Sequence, residues 1–207
     1  MQYGAAELEN EKKVVEQAKL DPEAFGKLYE QNYDIILNYV LRRTGDVQVA
    51  QDITAETFFK ALKNIGKFKW QNVPFSAWLY RIAINEIAAL NRRGSYKSVS
   101  LDEMRDMGFE PISGDDVEQE MIAAQQEIQR HHEYLAVREQ IDLLPAKYRE
   151  VIALRFFAGK QHAAIASILG KPEGTVKSLL HRGLKKLKKD ILQQEESATF
   201  WLGRHYE

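Results

Sequence analysis

Residues 163–188, which read AAIASILGKPEGTVKSLLHRGLKKLK, decide the fold of the C-terminal half of the chain. Their pattern predicts a short helix that carries Ile165 and Leu169, a tight turn at Gly170, and a second helix that begins near Pro172 and Glu173. A short helix, a glycine turn and a longer helix in this order are typical of a helix-turn-helix.

The second of these helices has two chemically different sides. Its apolar residues recur at steps of four, four and three, so they are predicted to face the domain core: Val176, Leu180, Leu184 and Leu187. The other side carries donors and acceptors that suit base edges and phosphates in a major groove. The predicted DNA-binding residues are Lys171, Thr175, Lys177, Ser178, His181, Arg182 and Lys185. The alternative is an ordinary helical hairpin with a solvated basic face.

Helical periodicity extends over most of the chain, and no segment alternates apolar and polar residues as a strand would. The predicted buried stripes include Leu62 in the second helix and Trp78, Ile82 and Leu90 in the third. The predicted helices run from Asp21 to Gly45, from about Asp46 to Gly66, from about Phe75 to Arg92, and over 120–140, 148–157, 162–169 and 173 to about 192. The fold class is therefore all-α.

Charge divides the chain into parts. Residues 101–120 hold eight acidic residues against one basic residue, whereas residues 171–190 hold seven basic residues against two acidic ones. The acidic stretch also lacks helical periodicity, which predicts a flexible linker between two small helical domains. The predicted boundaries are 15–95 for the first domain, 96–124 for the linker, 125–192 for the second domain and 193–207 for a tail.

Composition excludes several classes of protein. The 207 residues contain no cysteine, which excludes disulfides and thiolate zinc sites, and no apolar run long enough to span a bilayer. Phosphate-loop, zinc-protease and nucleophile-elbow motifs are also missing, so the chain is predicted not to be an enzyme and to need no metal or cofactor. We expect a cytoplasmic protein without direct membrane insertion.

The loop at 68–74 and the helix after it mix aromatic and basic residues. Phe68, Trp70 and Trp78 alternate with Lys67, Lys69 and Arg81. Aromatic rings stack on unpaired bases while cations hold phosphates, so the segment suits single-stranded DNA. The same aromatic residues also suit a hydrophobic core, and the segment alone does not separate the two hypotheses.

The second predicted helix has an exposed stripe made of Asp52, Glu56, Phe59 and Lys63. Charged residues on a solvated face need no special explanation. An apolar ring among them indicates a protein partner, although weakly.

These segments together resemble the bacterial extracytoplasmic-function sigma factors, the small two-domain specificity subunits of RNA polymerase. The runs that carry the resemblance appear in the family's order and cover both predicted domains. They are Ala24-Phe25 with Leu28-Tyr29, Arg42-Arg43, AQDITAETF at 50–58, FSAWLYRIAIN at 75–85, LLP at 143–145 with Tyr148-Arg149, and GTVKS at 174–178.

The resemblance implies a sigma2-like domain that binds core RNA polymerase and opens the −10 element, and a sigma4-like helix-turn-helix domain that recognises the −35 element. Docking on the clamp helices of the β′ subunit would fall on Asp52, Glu56, Phe59, Lys60 and Lys63. Contacts to the −10 element would fall on Phe68, Trp70, Asn72, Arg81, Asn85, Arg92 and Arg93, with the flipped base held by Phe68, Asn85 and the neighbouring loop. The implied partners are core polymerase with its β′ clamp helices and β flap, promoter DNA and an anti-sigma factor.

Several residues depart from the family pattern. Ala89, Ala164 and Leu179 stand where the family often has Asp, Glu and Arg, and loss of the Arg would weaken duplex binding and its salt dependence. The aromatic tail at 200–206 lies beyond the family's usual end, and we hypothesise that it docks within the chain and modulates activity. An operator-binding regulator that uses only the helix-turn-helix remains the alternative function.

Overall fold

The computed structural model describes residues 5–92 and 134–203, and every regular element in those ranges is helical. The all-α prediction is therefore confirmed there, whereas Arg93 and the predicted linker at 96–124 lie outside the described residues. The helices are α1 (Ala5–Ala18), α2 (Pro22–Thr44), α3 (Val47–Asn64), α4 (Phe75–Arg92), α5 (described over 134–143), α6 (Ala146–Phe156), α7 (His162–Leu169) and α8 (Glu173–Gly203).

Local capping explains where α2 and α3 begin. The Asp21 carboxylate accepts a hydrogen bond from the Glu23 N–H at 2.9 Å, and the Asp46 carboxylate accepts one from the Val49 N–H at 2.8 Å. Gly45 ends α2 in the left-handed conformation with φ of 72°, which a residue with a Cβ adopts only at a cost. The predicted boundaries of both helices are confirmed to within a few residues.

Helix α1 was not predicted. Its sequence is mostly polar, and only a short apolar stripe packs inward, where Val15 is fully buried and Ala18 is 4% exposed. A stripe of this length carries too little periodicity to identify a helix from sequence alone.

Most of the residues predicted to be buried in α2, α3 and α4 are buried, and a few are exposed or half-buried. Tyr39 of α2 and Tyr80 of α4 meet edge to face with their ring centroids 5.1 Å apart, and both are almost fully buried. Leu62, predicted to be buried, is 45% exposed, and Trp78 is only partly covered. Ile82 and Leu90 are likewise half-buried, because Tyr80 and its neighbours fill the α4 core instead.

The described residues belong to two compact units. The first contains α1–α4 together with residues 153–178, and the second contains residues 134–152 and 179–203. Within the first unit, the Arg42 side chain donates a hydrogen bond to the Phe157 carbonyl at 3.2 Å, and the Lys160 ammonium lies 5.0 Å from the centre of the Tyr80 ring. Burial lowers the pKa of Lys160. The predicted domain boundaries stay a prediction.

Within the second unit, α6 and α8 approach each other closely at Gly183. A Cβ at this position would lie 3.0 Å from the Ile152 Cδ1 and 3.1 Å from the Tyr148 Cβ, so glycine suits the contact. Two details of α8 differ from expectation: the helix continues to Gly203 rather than ending near Leu192, and Leu184 is 37% exposed rather than buried. The side chains of the aromatic tail lie outside the described residues.

Over the described ranges, none of the helices combines the length and the apolar character that crossing a membrane requires.

Two glycines of the same helix region should respond oppositely to alanine. Gly45→Ala should lower the free energy of unfolding by about 1 kcal/mol, because the left-handed conformation is strained for any residue with a Cβ. Gly26→Ala should raise it by about 0.5 to 1 kcal/mol, because Gly26 lies inside α2 with open space around its Cβ position. Urea unfolding followed by circular dichroism measures the free energy of unfolding of both variants. Changes of the same sign would contradict the left-handed conformation of Gly45 or the helical position of Gly26.

Candidate nucleic-acid interface

A cavity of about 370 Å³ lies where the end of α3, the loop after it and the first turns of α4 meet. Its lining combines the aromatic rings of Phe68 and Trp78 with the amides of Asn64 and Gln71. The cations of Lys67, Lys69 and Arg81 complete this set, with Val73, Ala77 and Ser167 between them. The cavity, called the aromatic–basic cavity below, thus offers stacking surfaces, amide groups and positive charge together.

The aromatic wall of this cavity rests on Phe75. Phe75 is fully buried, and its ring centroid lies 5.5 Å from that of Trp78 and 5.7 Å from that of Phe68. Phe68 and Trp78 lie 4.6 Å apart with their planes tilted by 36°. Because both are only partly buried, part of each ring is accessible from the cavity.

Backbone turns hold the loop in place. A single 3-10 turn over Ile65–Lys67 follows α3, and the Phe68 N–H donates to the Ile65 carbonyl at 3.0 Å. Asn72 has a positive φ of 56°, a conformation that asparagine tolerates better than most residues. The loop therefore has a defined course before it enters α4.

Arg81 borders the cavity and is engaged with α7. Its guanidinium donates hydrogen bonds to the carbonyls of Ser167, at 2.6 Å, and of Ile168. Both acceptors belong to the last turn of α7, where helix carbonyls lack partners within the helix and attract cations. In this arrangement the guanidinium donors that face α7 are already occupied.

The structure places the predicted −10 residues in different positions. Phe68 and Arg81 line the cavity, and Trp70 packs edge to face on Phe68 with the ring centroids 6.4 Å apart. Asn72, Asn85 and Arg92 are exposed but are not part of its lining. Arg93 lies outside the described residues.

The prediction missed two lining amides, Asn64 and Gln71. Gln71 lies between Trp70 and Asn72, so its place in an aromatic and polar loop was the available signal. Asn64 gave no such signal in the sequence. In the structure it is the last residue of α3, and its side chain donates to the Lys60 carbonyl at 2.8 Å.

The predicted stripe on α3 is exposed as expected. Asp52, Glu56, Phe59 and Lys63 follow one another at helical spacing and all face solvent, with Phe59 59% exposed. Leu62 extends the apolar part of this surface, which we call the α3 face. An apolar centre with charged neighbours is the usual composition of a protein-binding surface.

Lys60, beside the α3 face, forms ion pairs with two carboxylates. Its ammonium lies 2.6 Å from the Glu86 carboxylate of α4 and 3.1 Å from the Glu56 carboxylate of its own helix. The hydrogen bond to Glu86, followed by the one to Glu56, raises the pKa of Lys60. Lys60 therefore links α3 to α4.

The two helices and the glycine turn of the predicted helix-turn-helix are present in the structure. Gly170 ends α7 in the left-handed conformation with φ of 62°, and α8 begins at Glu173. Val176 is fully buried and Leu180 is 9% exposed, so this side of α8 packs inward. The predicted DNA-binding residues are all exposed: Lys171, Thr175, Lys177, Ser178, His181, Arg182 and Lys185.

Two of these predicted DNA-binding residues make side-chain contacts within their own helix. The Lys177 ammonium lies 2.9 Å from the Glu173 carboxylate, and this hydrogen bond lowers the pKa of Glu173. The Ser178 hydroxyl donates to the Gly174 carbonyl at 3.0 Å. In the part of the chain that is described, no three potential ligand side chains come together as a metal site.

Comparison with known families assigns both halves of the chain. Residues 28–95 match the family described as Sigma-70 region 2, and residues 134–187 match the one described as Sigma-70, region 4. The first match contains the α3 face and the aromatic–basic cavity except for Ser167, and the second contains the helix-turn-helix.

Individual proteins agree with these family matches. The chain is 32% identical to the ECF RNA polymerase sigma factor SigW of Bacillus subtilis over 87% of its own length and 95% of that protein. It is 32% identical to the ECF RNA polymerase sigma factor BldN of Streptomyces coelicolor over 84% of its own length and 63% of that longer protein. Its fold is similar to that of CnrH, solved with the cytosolic domain of CnrY, with a TM-score of 0.59 and 22% identity over 87% of this chain and 96% of CnrH.

Both family regions occur in the expected order, and SigW of Bacillus subtilis is matched over 95% of its length. Sigma factors are initiation subunits rather than enzymes. The chain belongs to the extracytoplasmic-function sigma factors of the sigma-70 family, which bind core RNA polymerase and direct it to specific promoters.

Proposed function

We propose that this sigma factor captures a flipped base of the −10 element in the aromatic–basic cavity while the α3 face holds core polymerase and α8 binds the −35 element. The cavity is the observation that carries the proposal. Its volume of about 370 Å³ lies at the small end of the range for ligand pockets, which suits a single base better than a larger ligand.

Stacking can supply the free energy that base capture requires. Extruding a base costs a few kcal/mol of lost stacking and pairing. A base stacked on an aromatic side chain recovers about 1 to 3 kcal/mol, and hydrogen bonds from an amide add to this. Phe68 and Trp78 are the stacking partners, and Gln71 is the exposed amide beside them.

The positive charges around the cavity would hold the phosphates of the same strand. Lys67 and Lys69 are exposed at its rim. Arg81 would join them through the guanidinium N–H groups that are not bonded to the carbonyls of α7. We further propose that Asn85 and Arg92, exposed on later turns of α4, contact the strand beyond the flipped base, with Arg93 next to them in the sequence.

Run-off transcription with core polymerase tests base capture. Gln71→Ala and Asn85→Ala should both reduce transcription from a duplex promoter by about fivefold or more, because each removes a polar contact worth about 1 kcal/mol. A set of promoters, each with one abasic site at a different non-template −10 position, then separates the roles of Gln71 and Asn85. At one position the Gln71→Ala defect should disappear, because the base that Gln71 contacts is absent there.

The matched control is Gln31→Ala, an exposed amide on α2 far from the cavity in sequence. Its transcription should equal that of the unmodified protein. If no abasic position relieves the Gln71→Ala defect, the cavity does not hold a base. Tight duplex binding without any effect of core polymerase would instead favour an operator-binding regulator.

For core polymerase we propose the α3 face as the docking surface on the β′ clamp helices. Phe59 supplies an exposed ring at its centre, with Asp52, Glu56 and Lys63 as polar neighbours. Interfaces of this kind concentrate their binding energy in a few central aromatic or apolar residues. Lys60 would contribute mainly by keeping α3 and α4 together through Glu86.

Phe59→Ala should raise the dissociation constant for core polymerase by about five- to thirtyfold, corresponding to about 1 to 2 kcal/mol. Its folding stability should change little, because the ring is 59% exposed in the free protein. Leu20→Ala, at a residue that is 91% exposed, is the control and should bind normally. Fluorescence anisotropy of a labelled sigma factor measures both, and equal affinities would remove Phe59 from the docking surface.

For the −35 element we propose that the exposed side of α8 enters the major groove. Arg182 lies one position after His181 and two turns into the helix, with Leu180 packed inward behind them. Lys177 and Ser178 face the same groove one turn earlier. Leu179, where the family often has Arg, would leave this surface with one phosphate contact fewer than usual.

Arg182→Ala should weaken binding to a −35 duplex by about 1 to 3 kcal/mol and relax base preference if the side chain contacts a base. A contact to phosphate would instead give a smaller, sequence-independent loss and a reduced salt slope. Lys189→Ala, later in the same helix, is the charge-matched control. Competition binding at several salt concentrations distinguishes these outcomes, and unchanged affinity and salt slope would exclude Arg182 from the interface.

We also propose control by an anti-sigma factor and a cytoplasmic location. CnrH, which shares the fold at 22% identity, was solved with the cytosolic domain of CnrY. Core RNA polymerase and promoter DNA are cytoplasmic in bacteria, so a subunit that joins them would act there. The β flap is the further polymerase contact that we propose for the C-terminal helices.

A further inference from the structure

Helix α1 reaches α4 through the side chain of Glu11. The Phe75 N–H, at the first position of α4, donates a hydrogen bond to the Glu11 carboxylate at 3.1 Å. Glu11 lies outside residues 28–95, which match Sigma-70 region 2, and 64 positions from Phe75. The contact is therefore supplied by a part of the chain that precedes the matched region.

The residue that precedes α4 cannot cap the helix with its side chain. The residue before Phe75 is Pro74, whose ring has no hydrogen-bond acceptor, although its carbonyl accepts the Ala77 N–H at 2.8 Å. Helices α2 and α3, in contrast, begin with Asp21 and Asp46 as their own caps. An N-terminal N–H without a partner is unfavourable when buried.

Phe75 connects this contact to the aromatic–basic cavity. Its buried ring lies against both Phe68 and Trp78, at centroid distances of 5.7 Å and 5.5 Å. A shift of the first turn of α4 would therefore move both rings that face the cavity.

We propose that Glu11 is a positioning residue for promoter opening: by holding the Phe75 N–H, it sets the first turn of α4 and with it the aromatic wall of the cavity. This inference rests on the proposed capture of a base there. Glu11 itself does not line the cavity.

The useful property of Glu11 is its oxygen acceptor rather than its charge. Burial raises the pKa of the Glu11 carboxyl, and the hydrogen bond from Phe75 opposes that rise to a smaller extent. Desolvation therefore works against the charged form. Glutamine keeps an oxygen acceptor of nearly the same reach without the charge, whereas alanine removes the acceptor.

The test compares Glu11→Gln and Glu11→Ala in the full-length protein. Glu11→Ala should reduce open-complex formation on a duplex promoter by about fivefold or more, as expected for one lost hydrogen bond at a buried donor. Its affinity for core polymerase should not change, because the α3 face is untouched. Glu11→Gln should stay within about twofold of the unmodified protein in both measurements.

A second measurement does not depend on transcription. The Phe75 amide should exchange with solvent at least about fivefold faster in Glu11→Ala, and at nearly the normal rate in Glu11→Gln. Glu9→Ala is the matched control, since Glu9 lies on α1 with its side chain 58% exposed and paired with Lys12 at 3.8 Å. If Glu11→Ala fails to fold, Glu11→Asp replaces it, with a shorter reach and a smaller defect of the same kind.

Three results would overturn the inference: normal opening by Glu11→Ala, an equal defect in Glu11→Gln, or losses of core binding and opening in the same proportion, which would indicate general destabilisation. A different result would show that the cavity does not capture a base. In that case no abasic position would relieve the Gln71→Ala defect, whatever the behaviour of the Glu11 variants.

Discussion

Polar backbone groups at helix ends need partners, and the described helices depend on how each end finds one. An unpaired buried N–H or C=O costs about 1 to 3 kcal/mol, comparable with a large part of the stability of a small domain. Asp21 and Asp46 meet this need locally at the starts of α2 and α3, and Glu11 meets it at a distance for α4. Gly45 and Gly170 turn the chain out of α2 and α7. The aromatic–basic cavity borders two of these ends, the first turn of α4 at Ala77 and the last turn of α7 at Ser167.

Arg81 belongs both to the aromatic–basic cavity and to the end of α7. Its guanidinium borders the aromatic–basic cavity and also satisfies carbonyls in the last turn of α7. These donors cannot bind a phosphate while they are bonded to the carbonyls. Lys67 and Lys69 are exposed at the same cavity, so its positive charge does not depend on Arg81 alone.

Local sequence patterns were sufficient for most of the helices and for the exposed side of α8. Capping residues and glycine turns act within about four residues, so they predicted the bounds of α2 and α7 well. Patterns were weaker on burial: Leu62 and Leu184 have the spacing of core residues but are substantially exposed. Periodicity shows which residues share a face, whereas the neighbouring helices decide how much of that face is covered.

By itself, the sequence determined the all-α class, the helix-turn-helix and the family, because these depend on residues close together along the chain or on motifs in a fixed order. Only the tertiary structure decided that Gln71 and Asn64 join Phe68 and Trp78 in one cavity, that Glu11 caps α4 and that Arg81 binds the end of α7. The Glu11 and Arg81 contacts join residues 64 and 86 positions apart. Their hydrogen bonds are single contacts without a repeating pattern, so no local periodicity reveals them.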